Sequence, residues 1–242
     1  VRPRADGRYA VDVERTGAWL RKDRRTFVAE HVVFAAGTLG TQKLLHRQRD
    51  LGHLPDLSPA LGRLTRTNSE AILGARSFRP PADFTHGVAI TSSFHPDADT
   101  HVEPVRYGRG SNAMGLLTTA LADGGGRHRT MTWLREVARH PATFARNLSM
   151  RHWSQQTIIA LVMQARDNSI TCSTKRGLFG RRLTSTQGHG EPNPTWIPAA
   201  HRAVRAMARR IGGYPAGSIG EIFDVPMSAH FLGGGGIGAS PG

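Results

Sequence analysis

The first part of the chain alternates apolar and polar positions in a way that predicts a small antiparallel meander followed by a core strand. Tyr9, Val11 and Val13 recur at every second position, which is the period of a half-buried strand. A continuous apolar run over 31–36 is typical of a strand buried on both faces, usually in a parallel sheet. A glycine turn and a helix over 41–49 follow, so this region predicts one strand–turn–helix unit of an α/β sheet.

Beyond residue 77 the pattern favours an antiparallel sheet with flanking helices. An amphipathic helix interrupted near Pro141 is expected over 131–149, and a second helix begins at Pro198 and ends at a glycine pair. The expected fold class is therefore α/β in its first part and α+β overall. Strands are expected over 87–94, 100–105, 111–119, 157–164 and 169–173, with a hairpin turn over 167–169 between the last two.

The net charge suggests nucleic-acid binding, but the distribution of the basic residues along the chain argues against it. The chain carries 32 basic and 18 acidic residues, a net charge of +14. Phosphate contacts dominate nucleic-acid affinity, so such a balance suits a nucleic-acid-binding domain. The basic residues are scattered through every segment, however, and no RNA- or DNA-binding motif occurs. We expect no nucleic acid as partner, and a basic nucleic-acid-binding domain stays the alternative from another class.

Membrane spans, disulfides and metals find no support in the sequence. No stretch approaches 18 uninterrupted apolar residues, so no transmembrane helix is expected. Cys172 is the single cysteine, which excludes an internal disulfide. His86, His95 and His101 match no zinc spacing, so no metal site is expected. The compartment, cytoplasmic or secreted, stays open.

Two motifs could carry chemistry. The first, VVFAAGTLGTQKLL over 32–45, places a glycine turn between a strand and a helix, where backbone amides can approach an anionic or planar ligand. The second, SAHFLGGGGIG over 228–238, sets His230 before a glycine-rich turn, where an imidazole can take a hydroxyl proton. The first motif could also be a tight turn that binds no ligand, and His230 could have a purely structural role.

Together these motifs resemble the glucose–methanol–choline (GMC) family of flavin oxidoreductases. Its members carry V-x-x-A-A-G-x-x-G-[ST]-x-x-L-L in the FAD domain and H-x-x-[GS] near the C-terminus. The similarity is greatest to the bacterial cholesterol oxidase branch, whose second motif is H-P-L-G-G; here Phe231 stands in place of the proline. The segment 48–59 also resembles that branch.

The resemblance implies a role for each matching residue. His230 would position the substrate hydroxyl and assist proton removal, and Glu103 would be the base that moves the steroid double bond. Independently, a carboxylate inside an apolar cavity has a raised pKa and suits proton shuttling; an ordinary strand-edge glutamate is the alternative. The residues expected to bind FAD are Gly37, Thr38, Gly40 and Thr41, which match the adenosine-binding segment, and Gly233 and Gly234.

The resemblance also implies a domain organisation. A partial FAD-binding domain is expected over 1–77, a substrate-binding domain over 78–226, and the start of a return segment over 227–242. The family's N-terminal strand–turn–helix with G-x-G-x-x-G and its C-terminal N-x-x-x-N-P segment do not occur in this sequence. We therefore expect a fragment that neither holds FAD tightly nor turns over alone.

The function implied by the resemblance is FAD-dependent oxidation of an alcohol, a 3β-hydroxysterol such as cholesterol. O₂ would reoxidise the flavin, the steroid double bond could be isomerised, and transient membrane contact would serve sterol uptake. Within the same family, a sugar, choline or aliphatic alcohol is the alternative substrate, and a non-catalytic remnant is a further alternative.

Overall fold

The structure is a computed structural model that describes residues 1–80, 82–126, 128–178 and 180–238. The predicted return segment thus lies outside the described residues from 239 onward. In chain order the strands are β1 (Arg2–Pro3), β2 (Tyr9–Glu14), β3 (Arg24–Ala29), β4 (Thr65–Thr67), β5 (Ala71–Arg76), β6 (Thr100–Val105), β7 (Thr118–Ala120), β8 (Thr157–Gln164), β9 (Ile170–Gly177), β10 (Gly180–Gln187), β11 (Tyr214–Ser218) and β12 (Phe231–Gly233). The helices are α1 (Gly37–Asp50), α2 (Arg129–Arg139), α3 (Pro141–Asn147), α4 (Trp153–Gln156), α5 (Pro198–Arg210) and α6 (Ile219–Ile222), with a 3₁₀ helix over Ala113–Leu117.

The chain divides into two compact units, each built from separate segments. Unit 1 contains Val1–Arg66, Asn168–Gly190 and, among the described residues, 231–238. Unit 2 contains Thr67–Asp167 and Glu191–His230. The mixed α and antiparallel β content confirms the α+β class that was expected overall.

Unit 1 begins with the expected antiparallel meander. β2 pairs with β1 and β3, and Tyr9 stands opposite Ala29. The second sheet of this unit has the order β10-β9-β4-β12, and its longest ladder is the β9–β10 hairpin. The sequence pattern did not predict β10.

The expected buried strand over 31–36 is wrong for this structure. These residues carry no strand assignment and are half-buried or exposed, and α1 begins at Gly37 immediately after them. A strand that is apolar on both faces needs a neighbour on each side to satisfy its backbone groups. Within the described residues no strand pairs with this run.

The expected hairpin at 167–169 is also wrong. β8 pairs with β5 and β6, whereas β9 pairs with β10 and β4. Asp167 and Asn168 are where the chain passes from one unit to the other. Turn-forming residues predict that the chain changes direction, but they do not determine whether the two flanking strands pair with each other.

Unit 2 is a five-stranded antiparallel sheet in the order β6-β8-β5-β11-β7. One face packs against α5, where Leu73, Val102, Val162 and Val204 form the core. The strands expected over 100–105 and 157–164 are confirmed at both ends, and so are the helix that begins at Pro198 and the break before Pro141.

Two of the expected strands of unit 2 are wrong, and Pro104 explains one of them. The segment 87–94 meets β6 only at two isolated bridges, Ile90–Val105 and Phe94–Val102. Val102 exchanges both of its backbone hydrogen bonds with Phe94. Pro104, two residues on, has no N–H to continue that ladder. The segment 111–119 is mainly the 3₁₀ helix, followed by the short strand β7.

Candidate active site

His230 is held against a buried carboxylate in unit 2. Glu70, just before β5, makes an isolated antiparallel bridge with Met227, which brings the segment 227–230 alongside the start of the strand. Oε2 of Glu70 accepts the Ala229 N–H at 2.8 Å and lies 3.1 Å from Nδ1 of His230. The Glu70 side chain is 1% exposed, whereas that of His230 is 61% exposed. The imidazole is therefore anchored through Nδ1 while much of the ring faces solvent.

An amide and a hydroxyl complete this group. Asn68 places its side-chain amide 3.1 Å from Nδ1 of His230, and the Ser228 hydroxyl lies 3.0 Å from Oδ1 of the same amide. The Asn68 carbonyl accepts the Gln164 N–H at 2.9 Å, which fixes the backbone at this point. We call Asn68, Glu70, Ser228 and His230 the His230 cluster. It can hold an imidazole in one orientation and present its other nitrogen to a ligand.

Glu103 lies on the edge strand β6. In the described structure it pairs with His101, whereas His230 pairs with Glu70. Nε2 of His101 lies 3.8 Å from Oε1 of Glu103, and the Glu103 side chain is 23% exposed. The ring of His95 stacks on that of His101 at 4.8 Å. Glu103 stands opposite Leu161, and Leu161 stands opposite Ile72, so these three residues form one cross-strand row.

An apolar pocket lies on the sheet face that this row occupies. Val102 and Val162 point into the core against α5, so the alternating residues Glu103 and Leu161 belong to the opposite face. Ile72 belongs to this row and also lines the pocket, which has a volume of about 50 Å³. Its other main lining side chains are Met114, Leu117, Trp153, Thr157, Ile159 and Met227.

The residues expected to bind the adenosine portion of FAD lie at the start of α1 in unit 1. Gly37 has φ +66°, and a Cβ there would meet open space. The Thr38 hydroxyl donates to the carbonyl of Phe231 at 2.8 Å, and the Thr41 hydroxyl accepts the Ala36 N–H. No side chain caps the helix, so first-turn amides are available to a ligand. The fit to a cofactor rests on these amides, because both threonine hydroxyls have internal partners.

Gly40, Gly233 and Gly234 are glycines because of close packing within unit 1. A Cβ on Gly40 would lie 3.1 Å from that of Ala36. Gly233 and Gly234 have φ +81° and +73°, and a Cβ on Gly234 would overlap Thr65 and the buried Gln42. Gln42 donates to Thr65 Oγ1 at 3.0 Å and to the Gly233 carbonyl at 3.3 Å. Their packing role is thus clear, and their cofactor role stays a prediction.

Sequence reasoning missed Asn68 and Glu70. Both stand in T-N-S-E directly before an apolar strand, a place where polar residues are common. Only the pairing of Glu70 with Met227, distant in sequence, shows that the carboxylate is buried against His230. The available signal was an acidic residue between Ser69 and the apolar run that begins at Ala71, which is weak by itself.

The described part of the chain lacks two further kinds of feature, a cluster of metal ligands and a membrane-spanning helix. Those residues contain no group of three or more metal-ligating side chains. Among them there is also no helix that is both long and apolar enough to cross a bilayer.

Comparison with known proteins identifies relatives along nearly the whole chain. No family model matches the sequence. A curated protein named cholesterol oxidase, from Mycobacterium tuberculosis (strain CDC 1551 / Oshkosh), is 56% identical over 246 residues, covering 98% of this chain and 43% of the relative. The same figures hold for the cholesterol oxidase of strain ATCC 25618 / H37Rv. A cholesterol oxidase of Acinetobacter baumannii is 42% identical over 245 residues, covering 98% of this chain and 44% of the relative.

The chain thus spans less than half the length of the curated relatives that it matches. The resemblance expected from the two motifs is confirmed at the level of sequence, with 56% and 42% identity. Along 98% of its length, this chain is similar to one continuous part of the bacterial cholesterol oxidases.

Proposed function

We propose that the protein carrying this sequence oxidises the 3β-hydroxyl group of a sterol in an FAD-dependent reaction with O₂. The single observation that carries the proposal is His230, anchored through Nδ1 on a buried carboxylate in a chain 56% identical to a cholesterol oxidase. A bulky alcohol as substrate, and an oxidoreductase as enzyme class, follow from the relatives' name.

His230 holds the proton of the reacting hydroxyl. With Nδ1 engaged by Glu70, Nε2 is the nitrogen left to accept a hydrogen bond from the alcohol. The alcohol then loses two electrons as a hydride from its carbinol carbon, and its hydroxyl proton passes to Nε2. The product is a ketone, and the ring becomes imidazolium until the proton leaves to solvent.

FAD would be held at the start of α1, where the free amides of Gly37 and Thr38 would bind its adenosine portion, and Gly40 and Thr41 are proposed as further contacts on the same turn. Gly233 and Gly234, in the glycine-rich turn just after His230 in sequence, are proposed as further cofactor contacts. The chemistry that FAD supplies when bound is hydride acceptance, followed by reduction of O₂ to hydrogen peroxide with two electrons and two protons.

Glu103 supplies the second chemical step, a shift of the steroid double bond. The carboxylate takes a proton from one ring carbon and returns it to another, which moves the double bond into conjugation with the new ketone. It lies on the same sheet face as the apolar pocket, two strands from Ile72, a distance of about 10 Å at ordinary strand spacing. A rigid fused-ring substrate spans such a distance.

The apolar pocket is the proposed start of the sterol site. Its 50 Å³ is the space of only a few water molecules, so a steroid enters only if a covering segment moves. Met114 and Leu117 line it from the 3₁₀ helix, and Leu117 is already half-exposed. We therefore assign the opening motion to this 3₁₀ helix.

A membrane is the proposed source of the sterol, and a hairpin tip of unit 1 is the proposed contact. Trp19 and Leu20, between β2 and β3, are 97% and 99% exposed. Exposed aromatic and aliphatic side chains flanked by cations suit the interface of an anionic bilayer. We call residues 15–25 the Trp19 tip; it carries five basic residues and one acidic residue, Asp23.

The test of the enzymatic proposal is a chimera in which the relative supplies the segments that this chain does not cover. In the Mycobacterium tuberculosis relative, the aligned segment is replaced by this chain, and peroxide release with cholesterol is measured. We expect activity, a loss of about 10²- to 10⁴-fold in kcat for His230→Gln, and retained oxidation with lost isomerisation for Glu103→Gln. His101→Gln is the control for Glu103, because it removes that residue's neighbour without removing a carboxylate.

Three outcomes would count against the proposal. Activity with choline, a sugar or an aliphatic alcohol but not with sterols would favour the non-steroid alternative. A folded, FAD-loaded chimera without activity toward any alcohol would favour the non-catalytic remnant. Unchanged kcat in His230→Gln would remove His230 from the mechanism.

A further inference from the structure

The His230 cluster contains a carboxylate for which the proposed reaction has no direct use. The Glu70 side chain is 1% exposed and contacts the imidazole of His230, so a substrate arriving from solvent would not touch its carboxylate. Burying a carboxylate costs free energy unless it is hydrogen-bonded. Its described partners are the Ala229 N–H and His230 Nδ1, both on Oε2.

The geometry restricts which nitrogen of His230 carries the proton. An ionised carboxylate only accepts hydrogen bonds, so at 3.1 Å it favours a proton on Nδ1 over the tautomer that is protonated on Nε2 alone. The opposite tautomer would direct the Nδ1 lone pair at the carboxylate. Nε2 is then left without a proton, as an acceptor of a substrate hydroxyl must be.

The neighbouring amide agrees with this tautomer once its two ends are exchanged. The oxygen and nitrogen of an asparagine amide are told apart only by their hydrogen bonds. With Oδ1 of Asn68 turned toward the ring, it accepts from Nδ1–H, and its NH₂ donates to the Ser228 hydroxyl. That hydroxyl can then donate to the His230 carbonyl, 3.2 Å away. Every polar atom named here is thereby satisfied.

We infer that Glu70 is the positioning residue of His230: it fixes the Nδ1–H tautomer, so that Nε2 is the proton acceptor. This inference rests on the proposed function for the use of Nε2, but the tautomer itself does not depend on any reaction. Asn68 would reinforce the choice and, being uncharged, could not impose it.

The test is the nitrogen spectrum of the histidines in this chain. Long-range ¹H–¹⁵N correlation at neutral pH distinguishes the two tautomers of each ring, and the His230 signal is assigned by its loss in His230→Gln. We expect His230 to be protonated at Nδ1, against the preference of free histidine for Nε2–H. Glu70→Gln should lower the Nδ1–H fraction, and Glu70→Leu should lower it further.

Asp123→Asn is the matched control. Asp123 is a carboxylate of the same unit that contacts Nδ1 of another histidine, His201, at 2.9 Å. This variant should alter the His201 signals and leave those of His230 in place. If Glu70→Leu fails to fold, the effect of Glu70 on the His230 tautomer is measured with the nearly isosteric Glu70→Gln alone. A His230 ring protonated at Nε2 in the unmodified chain, or one unaffected by either substitution, overturns the inference.

Kinetics in the chimera separate this inference from the proposed function. Glu70→Gln should lower kcat with little change in KM, by about 10²-fold or more, as expected when a tautomer-fixing carboxylate is lost. An inactive parent chimera defeats the proposed function and leaves the spectroscopic result standing. A full kcat in a variant with altered tautomer defeats the positioning role alone.

Discussion

At the scale of single residues, the positive charge of buried Arg76 is stabilised by the dipoles of carbonyl and amide groups. Its guanidinium donates to Oε1 of Gln156 and to the carbonyls of Asn147 and Arg151. The Asn147 carbonyl is at the C-terminus of α3, the end that attracts positive charge. Burial, and then the charge of Arg146, lower the pKa of Arg76 to about 10. The group therefore stays charged at neutral pH and fastens α3 to the sheet.

His46 carries a prediction of pH-dependent stability for unit 1. It is fully buried in α1, and Nη2 of Arg49 donates to its Nδ1 at 2.9 Å. Burial and then the charge of Arg49 lower the pKa of His46 below its ordinary 6.5. Since the unfolded chain binds the proton more readily, this contribution to stability is complete above about pH 6.5 and is lost as the pH falls below that value.

The measurement is the urea midpoint at pH 7.5 and at pH 5.5. We expect the midpoint to fall on acidification, and to fall less in His46→Gln, although that variant starts from lower stability. His31→Gln removes an exposed histidine instead and should preserve the full pH difference. An equal loss in all three proteins would show that His46 does not titrate as described.

The residues of the candidate site differ in how far sequence could reveal them. His230 was visible because it precedes a glycine-rich turn that could be matched to a known motif. Glu70 was hidden, because its burial arises from a bridge to Met227 across the fold. The glycines at 233 and 234 were found as a motif, but the packing against Gln42 and Thr65 that requires them was not.

At the scale of elements, the Trp19 tip predicts binding to anionic vesicles. Lys22, Arg24 and Arg25 are paired with Glu14 or Asp23, while among the described residues Arg15 and Arg21 make no ion pair. We expect this chain to sediment with vesicles of phosphatidylglycerol and phosphatidylcholine more than with phosphatidylcholine alone. Trp19→Ala and Leu20→Ser should each weaken binding by about tenfold, as loss of apolar burial predicts.

The control is Val88→Ser, which removes an exposed apolar side chain that has no cation close to it in sequence. It should bind like the unmodified chain. If Trp19→Ala and Leu20→Ser bound the anionic vesicles as tightly as the unmodified chain does, another surface, or charge alone, would provide the contact.

Elements were predicted well where local pattern and pairing coincide. β6, β8 and α5 have clear periodicity, and their neighbours are present. The run over 31–36 has an equally clear pattern but no pairing strand in the described chain. The segment 87–94 fails because a proline on its partner strand interrupts the ladder. Periodicity reports which faces are apolar, and only the surrounding strands decide whether a ladder forms.

At the scale of the whole molecule, the net charge of +14 does not predict nucleic-acid binding. Many cations are already engaged: Arg129 with Glu221, Arg205 with Asp123, and Arg8 with Asp6. At 150 mM salt we expect only non-specific affinity for DNA or RNA, with Kd of about 10⁻⁴–10⁻⁶ M. Electrophoretic mobility shift over a salt series tests this, and tighter binding to a particular sequence would favour the nucleic-acid alternative.

The interleaving of the two units has a consequence for biosynthesis. Thr38 bonds to Phe231, Gln42 to Gly233, and the Gly62 N–H to the Gly234 carbonyl, so contacts of unit 1 join the early part of the sequence to residues near its end. On the ribosome, therefore, the unit that emerges first is completed last. Until residues 231–234 have left the exit tunnel, α1 lacks these partners, so we expect unit 1 to stay incompletely folded and open to chaperones during synthesis.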